Sequence, residues 1–400
     1  MKPIRFAVVG AGRVAGTGTG RGKSFVHSAE AMPEIVQLVA VCDLDEDTQA
    51  EWRARGDVRV YGDYQKLLED GDVDAVCLST PVTLHARQAI EALNAGKHVL
   101  SEVPAAYQVD ECFDLVEAVE KSGLTYMLAE NYCFMRDVMM VTEMTRRGVF
   151  GDLIYAEGSY LHDCRDLFFQ PDGTLTWRGE LQRTFRCNTY PTHSLGPVCQ
   201  WLGINRTDKL KSLGAWGSPS LAAPDYVKRN MGENHEFTSP DFWAVPNSVN
   251  VSLNTEKGVL AHHRLDWASP RPHHMNRYEL QGTRAAFCSS ADPHLDPLIW
   301  IQDKSETSPT GVAGNWESLW KYADEFEHPL WRESGEDAAK AGHGGGDFFV
   351  LREFASAVNE NRPPLIDVYD AVTWSSVTPL SGMSLEQGGA PVEVPNFKNL

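Results

Sequence analysis

Ile4-Arg5-Phe6-Ala7-Val8-Val9-Gly10-Ala11-Gly12-Arg13-Val14-Ala15 stands near the start of the chain. A short apolar run that ends directly on glycines reads as a strand entering a tight turn. The turn itself spells G-x-G-x-x-A, the pattern that holds a dinucleotide pyrophosphate at the start of a helix. Gly10 permits the turn, and Gly12 lets the backbone approach the phosphates. Ala15 is small enough for close helix–strand packing. Arg13 and Val14 complete the loop, and the amides at the helix start face the pyrophosphate. A structural glycine turn would look the same in isolation, so the surroundings decide.

The first support is Asp43, which ends a second strand at Val36–Cys42. A carboxylate there accepts both hydroxyls of an adenosine ribose and repels a 2′-phosphate, which favours NAD over NADP. The spacing is longer than usual, because a glycine-rich stretch at 16–22 extends the loop. That stretch ends in Gly22-Lys23-Ser24, like a P-loop. The P-loop pattern needs glycine at position 17, where Thr17 stands, so a nucleotide triphosphatase is rejected.

Further strands are expected at 75–79 and 98–101, with helices at 84–94 and 109–121 between and after them. Alternation on this scale means parallel βαβ units. After about residue 131 the pattern changes. Strand-like stretches follow at 153–161, 210–215, 248–254, 259–267 and 278–282, with few helices between them. The fold class expected is therefore α/β: a doubly wound Rossmann sheet at 1–130, then an α+β domain with a mostly antiparallel sheet at 131–400. Helices at 348–358 and 367–385 are expected to pack back. The segment 292–346 reads as loop and holds Trp300, Trp316, Trp320 and Trp331.

Composition narrows the function classes. With 42% hydrophobic and 23% charged residues, the 400-residue chain is globular and long enough for two domains. A net charge of −19 opposes nucleic acid and anionic lipid as partners. No apolar run reaches membrane-spanning length, and no leader precedes the first strand, so a cytoplasmic location is expected. The eight cysteines contain no C-x-x-C pair, which points to buried free thiols.

Thr80-Pro81-Val82-Thr83-Leu84-His85 and Gly96-Lys97-His98-Val99-Leu100-Ser101-Glu102-Val103-Pro104 resemble the glucose–fructose oxidoreductase/inositol dehydrogenase superfamily (Gfo/Idh/MocA). Its members carry T-P-x-x-x-H and then E-K-P. The resemblance implies a cofactor site formed by Thr80, Pro81, His85, Glu102 and Val103. The family's lysine, near the nicotinamide and the substrate hydroxyl, is replaced by Val103, which relays no proton.

A narrower resemblance covers nearly the whole chain. Glu102-Val103-Pro104-Ala105-Ala106, Glu130-Asn131, the stretch GDLIYAEGSYLHD at 151–163 and Tyr190-Pro191-Thr192-His193-Ser194-Leu195-Gly196-Pro197-Val198 carry it. So do Glu327-His328-Pro329-Leu330-Trp331, His343-Gly344-Gly345-Gly346-Asp347, Val368-Tyr369-Asp370-Ala371 and the ending Pro391 to Phe397. These resemble glycoside hydrolase family 109, the NAD-dependent α-N-acetylgalactosaminidases.

The resemblance implies Glu130, Tyr160, Arg178, Tyr190 and His193 as active-site residues. It also implies a cycle of C3 oxidation, C1/C2 elimination, water addition and re-reduction. His193 would assist oxidation, and Tyr190 would bond the same hydroxyl. Tyr160 would take the C2 proton if a cation such as Arg178 lowered its pKa, and Glu130 would orient a hydroxyl.

Each residue has a plainer reading. Tyr190 and His193 could be a structural pair in a loop, Arg178 could stack on Trp177, and Glu130 could cap a helix. The family's sugar-contacting tyrosine falls at His274 in the turn Arg271 to Arg277. Trp331 could contact sugar or simply pack. Adjacent His273 and His274 chelate one ion poorly, so no metal is expected. The alternatives are a sugar or cyclitol dehydrogenase, or a catalytically silent NAD-binding scaffold. A small carbohydrate is the expected partner, with a homo-oligomer formed through the C-terminal sheet.

Overall fold

The computed structural model describes residues 2–12, 20–272, 276–292, 294–306, 314–339 and 342–398. Arg13, Val14, Ala15 and His274 lie outside these residues.

Six parallel strands form the first sheet: β1 Ile4–Val9, β2 Val36–Cys42, β3 Arg59–Tyr61, β4 Ala75–Leu78, β5 His98–Ser101 and β6 Tyr126–Leu128. Their order is β3-β2-β1-β4-β5-β6, the doubly wound order in which ligands bind beyond the carboxyl ends of the strands. All of β4 and nearly all of β1 are buried, as expected for a sheet covered on both faces. Helices Arg21–Glu30 and His85–Asn94 pack directly on the strands, and Val109–Ser122 packs against the second of them.

The second sheet has nine strands: β7 Leu153–Leu161, β8 Leu210–Gly217, β9 Val249–Thr255, β10 Leu260–Asp266, β11 Asn276–Gly282, β12 Ala285–Cys288, β13 Leu298–Ile301, β14 Glu317–Ser318 and β15 Val392–Glu393. The order is β14-β13-β12-β11-β7-β10-β9-β8-β15. Only β7 and β10 run parallel; the other pairs are antiparallel. Strand β7 is central, and the Thr192–Leu202 helix lies across it. Gly158 makes that approach possible, because a β-carbon there would stand 2.3 Å from the Ser194 carbonyl oxygen. The close crossing carries His193 over the strand that bears Tyr160.

Two expectations need correction. The segment 292–346 is not loop throughout: it contains β13, β14 and a Pro329–Ala338 helix. β13 is only Leu-Ile-Trp-Ile, too short to signal a period, and it exists because β12 pairs with it. The helix starts where His328 caps the Leu330 amide and proline occupies the first turn. Helices are also commoner after residue 131 than expected, with Arg136–Arg146, Trp177–Thr184, Thr192–Leu202 and Ala222–Met231. Thr192–Leu202 contains Gly196 and Pro197, the two residue types with the weakest helix preference. Burial of all but one of its residues overrides that weak local preference.

None of the eight cysteines forms a disulfide, and seven are buried. Among the described residues no cluster of three or more His, Cys, Asp or Glu is arranged to hold a metal. No described helix is long and apolar enough to cross a membrane.

Candidate active site

The cofactor residues gather at the carboxyl edge of the parallel sheet. Gly10 turns with φ of +83° just past β1. A β-carbon on Gly12 would stand 3.0 Å from both Asp43 Oδ2 and Thr48 Oγ1, so glycine keeps a cradle open beside the Asp43 carboxylate. That arrangement fits a dinucleotide, with backbone toward phosphate and carboxylate toward ribose. The close helix–strand contact falls on Gly22, where a β-carbon would stand 2.2 Å from the Gly10 carbonyl oxygen. The helix begins at Arg21. The sequence reading assigned a packing role of this kind to Ala15, which lies outside the described residues.

His85 braces the site from behind. Its Nδ1 lies 2.9 Å from the Pro104 carbonyl and its Nε2 2.9 Å from the Thr80 carbonyl. Burial pushes its pKa down, and the neutral ring, with one N–H to donate, bonds one of these two carbonyls while packed between the Thr80-Pro81 and Glu102-Val103-Pro104 turns. Val103 is itself buried.

Arg21, which the sequence reading missed, joins this edge to the C-terminal region. It donates from Nε to Glu102 Oε1 at 2.7 Å and makes a bidentate pair with Asp347 at 2.9 and 3.0 Å. Asn131 donates to Asp347 at 3.0 Å, and His343 Nδ1 lies 2.8 Å from the same carboxylate. Burial opposes the Asp347 charge. Arg21 and His343 more than offset it and hold the carboxyl well below its usual range. The signal was present in Glu130-Asn131 and His343 to Asp347, but nothing in the sequence joins them to Arg21.

The catalytic candidates assemble on the neighbouring face. Glu130 sits between β6 and the short 3-10 helix Asn131–Phe134, whose Tyr132 amide it caps. Its Oε1 is 2.7 Å from His193 Nδ1, and its Oε2 is buried with no partner. His193 lies in the first turn of its helix, not in a loop, and its carbonyl accepts the Tyr278 hydroxyl at 2.5 Å.

Three tyrosine rings surround the imidazole, with centroids 4.5 Å (Tyr132), 5.0 Å (Tyr190) and 5.2 Å (Tyr160) away. Tyr190 stacks between Tyr160 and Trp267, at the junction of the three hydrophobic clusters. The Tyr160 hydroxyl lies 2.9 Å from His162 Nδ1.

The expected electrostatics of Tyr160 do not hold. Burial, reinforced by Cys164, Tyr190 and Tyr132, pushes its phenol well above the ordinary value. Arg178 does not relieve it: the guanidinium stacks on Trp177 at 4.2 Å, and its charge is felt at Tyr190 and Cys164. Arg178 Nη1 is buried with no partner. Trp331 is engaged in packing; its indole donates to the Phe134 carbonyl at 2.8 Å, and its ring meets Phe349.

A doubly wound sheet with a glycine cradle and a carboxylate beside it defines a dinucleotide-binding fold. Residues 4–130 match the family described as "Oxidoreductase family, NAD-binding Rossmann fold", so this part of the chain is an NAD-binding domain. Residues 134–399 match "Glycosyl hydrolase 109, C-terminal domain". The chain belongs to glycosyl hydrolase family 109.

A "Glycosyl hydrolase family 109 protein" of Solibacter usitatus is 34% identical over 98% of this chain and 88% of its own length. One from Stenotrophomonas maltophilia is 32% identical over 96% and 88%. Among solved structures, levoglucosan dehydrogenase in complex with NADH superposes with a TM-score of 0.77 at 18% identity, covering 98% of this chain and all of the other. An inositol dehydrogenase homolog of Azotobacter vinelandii, complexed with NADH and myo-inositol, gives 0.74 at 20% identity over 98% of each. These two share the fold.

Proposed function

We propose that this protein is an NAD-dependent glycosidase acting by transient C3 oxidation, C1/C2 elimination, water addition and re-reduction. The observation that carries the reading is the Glu130–His193 pair set among Tyr160 and Tyr190. It is a set for moving protons. Direct displacement needs two carboxylates flanking the bond, whereas the buried carboxylate of this cluster is already joined to His193. NAD held beside Gly10, Gly12 and Asp43 would supply hydride chemistry, accepting and giving back the sugar's electron pair.

The side chains account for the proton transfers. With Nδ1–H donated to Glu130, His193 keeps its Nε2 lone pair for the C3 hydroxyl proton. Val103 has no proton to offer, so the imidazole takes the task of the missing lysine. Tyr190 hydrogen-bonds the same hydroxyl. A C3 ketone acidifies the C2 proton, which Tyr160 receives. Arg178 adds positive charge on the Tyr190 side. Glu130 orients the base rather than a sugar hydroxyl.

A carbohydrate is the substrate class we infer, and a homo-oligomer through the nine-stranded sheet is the assembly; light scattering reads the latter. A panel of aryl glycosides, followed for both phenol and NADH absorbance, tests the function. Phenol release without NADH accumulation is expected. NADH rising in step with substrate loss would instead establish a sugar or cyclitol dehydrogenase, the reading that the fold neighbours favour.

A further inference from the structure

A buried phenol is a poor base unless something takes its own proton. Tyr160 is 4% exposed, and Arg178 is turned to Trp177. What does meet the Tyr160 hydroxyl is His162, two residues on and therefore on the same face of the extended chain. The backbone beyond β7 remains extended there: His162 donates its amide to the Asp266 carbonyl at 2.8 Å, and Cys164 to that of Trp267 at 3.0 Å.

We propose that His162 is a positioning residue for Tyr160: its Nδ1 accepts the phenolic proton as the Tyr160 oxygen takes the C2 proton of the sugar, and the ring passes that proton toward solvent. This rests on the C3-oxidation reading above. The Tyr160 oxygen lies 2.9 Å and Cys164 Sγ 3.1 Å from the same Nδ1. Burial favours the protonated form of both groups. The relay uses the tautomer with its N–H on Nε2, whose Nδ1 lone pair accepts the Tyr160 hydroxyl. His162 is half-buried whereas Tyr160 is buried, which places the imidazole on the route outward.

The step balances. The C2–H bond breaks, and its electron pair enters the C2–C3 enolate. The proton bonds to the Tyr160 oxygen while the original O–H breaks and forms N–H at His162. The imidazolium then loses its proton to water. The return proton travels the same way, which explains how solvent hydrogen would reach a buried C2.

His162→Asn tests this, since its amide oxygen can still accept from Tyr160 but has no useful basicity. Glycoside cleavage and C2 exchange should fall on the order of 100-fold in kcat. KM, bound NAD and single-turnover C3 oxidation should stay near wild type. A variant kcat within about threefold of wild type would overturn the proposal.

A second measurement needs no turnover. In holoenzyme labelled with ¹⁵N-histidine, the signal lost in His162→Asn should report an unprotonated, hydrogen-bonded Nδ1, and Tyr160→Phe should shift it. A protonated Nδ1 would also overturn the proposal. If wild type itself places no solvent deuterium at C2, the C3-oxidation reading fails. If wild type and His162→Asn exchange equally, the relay alone fails.

Discussion

The Glu130 carboxylate stands 2.7 Å from Nδ1 of His193, a residue 63 positions away in sequence. The Thr192–Leu202 helix, packed on β7 and on the Asn131–Phe134 turn, brings the two side chains together. The carboxylate selects the tautomer that leaves Nε2 as a base. Glu130→Gln keeps the volume but can donate to Nδ1, which favours the wrong tautomer. We expect kcat to fall on the order of 100-fold with little change in KM, the scale of losing a general base. A variant with wild-type kcat would remove this orienting role.

Asp43 sets the nucleotide preference in our reading. Its Oδ2 borders the space that Gly12 keeps open. Asp43→Ala should weaken NAD(H) binding about tenfold, as the loss of charged hydrogen bonds does, and should relax discrimination against NADP(H). Calorimetry with both nucleotides checks it. A wild type that already prefers NADP(H) contradicts the assignment.

The Arg21–Asp347 pair gives stability a definite pH signature. Asp347 is fully buried, and its folded carboxyl titrates well below the ordinary range, against burial, because of Arg21 and His343. A depressed folded pKa contributes stability that is complete above the unfolded value, about 3.9, and lost as pH falls toward the folded one. Asp347→Asn should therefore lower Tm at neutral pH and lose less stability than wild type on acidification below about pH 4. Breaking such a buried pair costs about 3–5 kcal/mol. Parallel acid-shifted melting curves for the two proteins would disprove the linkage.

Four of the six parallel strands were legible, because β1, β2, β4 and β5 are local apolar runs, two of them ending on Gly10 and on Asp43; β3 and β6 are three residues each, too short to carry a period, and take their place by pairing with β2 and β5. The second domain was less so. β12 and β13 are four residues each and take their conformation from pairing, while the helix bearing His193 contains Gly196 and Pro197. The site residues on Glu130, Tyr160, Tyr190 and His193 came from resemblance, and the structure brings those four together. Their electrostatics did not follow, because burial of Tyr160 and the turn of Arg178 onto Trp177 are tertiary facts. Arg21 was invisible for the same reason: its partners lie 81 and 326 residues away.

Gly22 carries the helix–strand contact that fixes the phosphate edge. A cofactor regenerated in each cycle gains nothing by dissociating, so the wild-type protein should purify with NAD(H) and release it on denaturation. Gly22→Ala drives a methyl into the Gly10 carbonyl. Overpacking of this kind typically costs about 1–3 kcal/mol. We expect a lower Tm and a purified protein depleted of dinucleotide. Full NAD(H) content in the variant would show that the crossing tolerates a side chain.

The last prediction separates the chemistries. If a C3 ketone forms and a base removes the C2 proton before elimination, cleavage in D₂O should place deuterium at C2 of the product sugar, with no net NADH. Tyr160→Phe should abolish both cleavage and deuterium incorporation, while partial oxidation at C3 survives. His193→Ala should stop earlier, leaving no NADH signal even in a single turnover, because the hydroxyl proton has nowhere to go. An ordinary dehydrogenase reverses the pattern: NADH grows with substrate consumed and C2 keeps its hydrogen. Displacement by two carboxylates gives neither NADH nor deuterium. Mass spectrometry and proton NMR of the released sugar read all three outcomes from one reaction. A product without deuterium at C2 would rule out the elimination route, and with it the assignment of Tyr160 as the base.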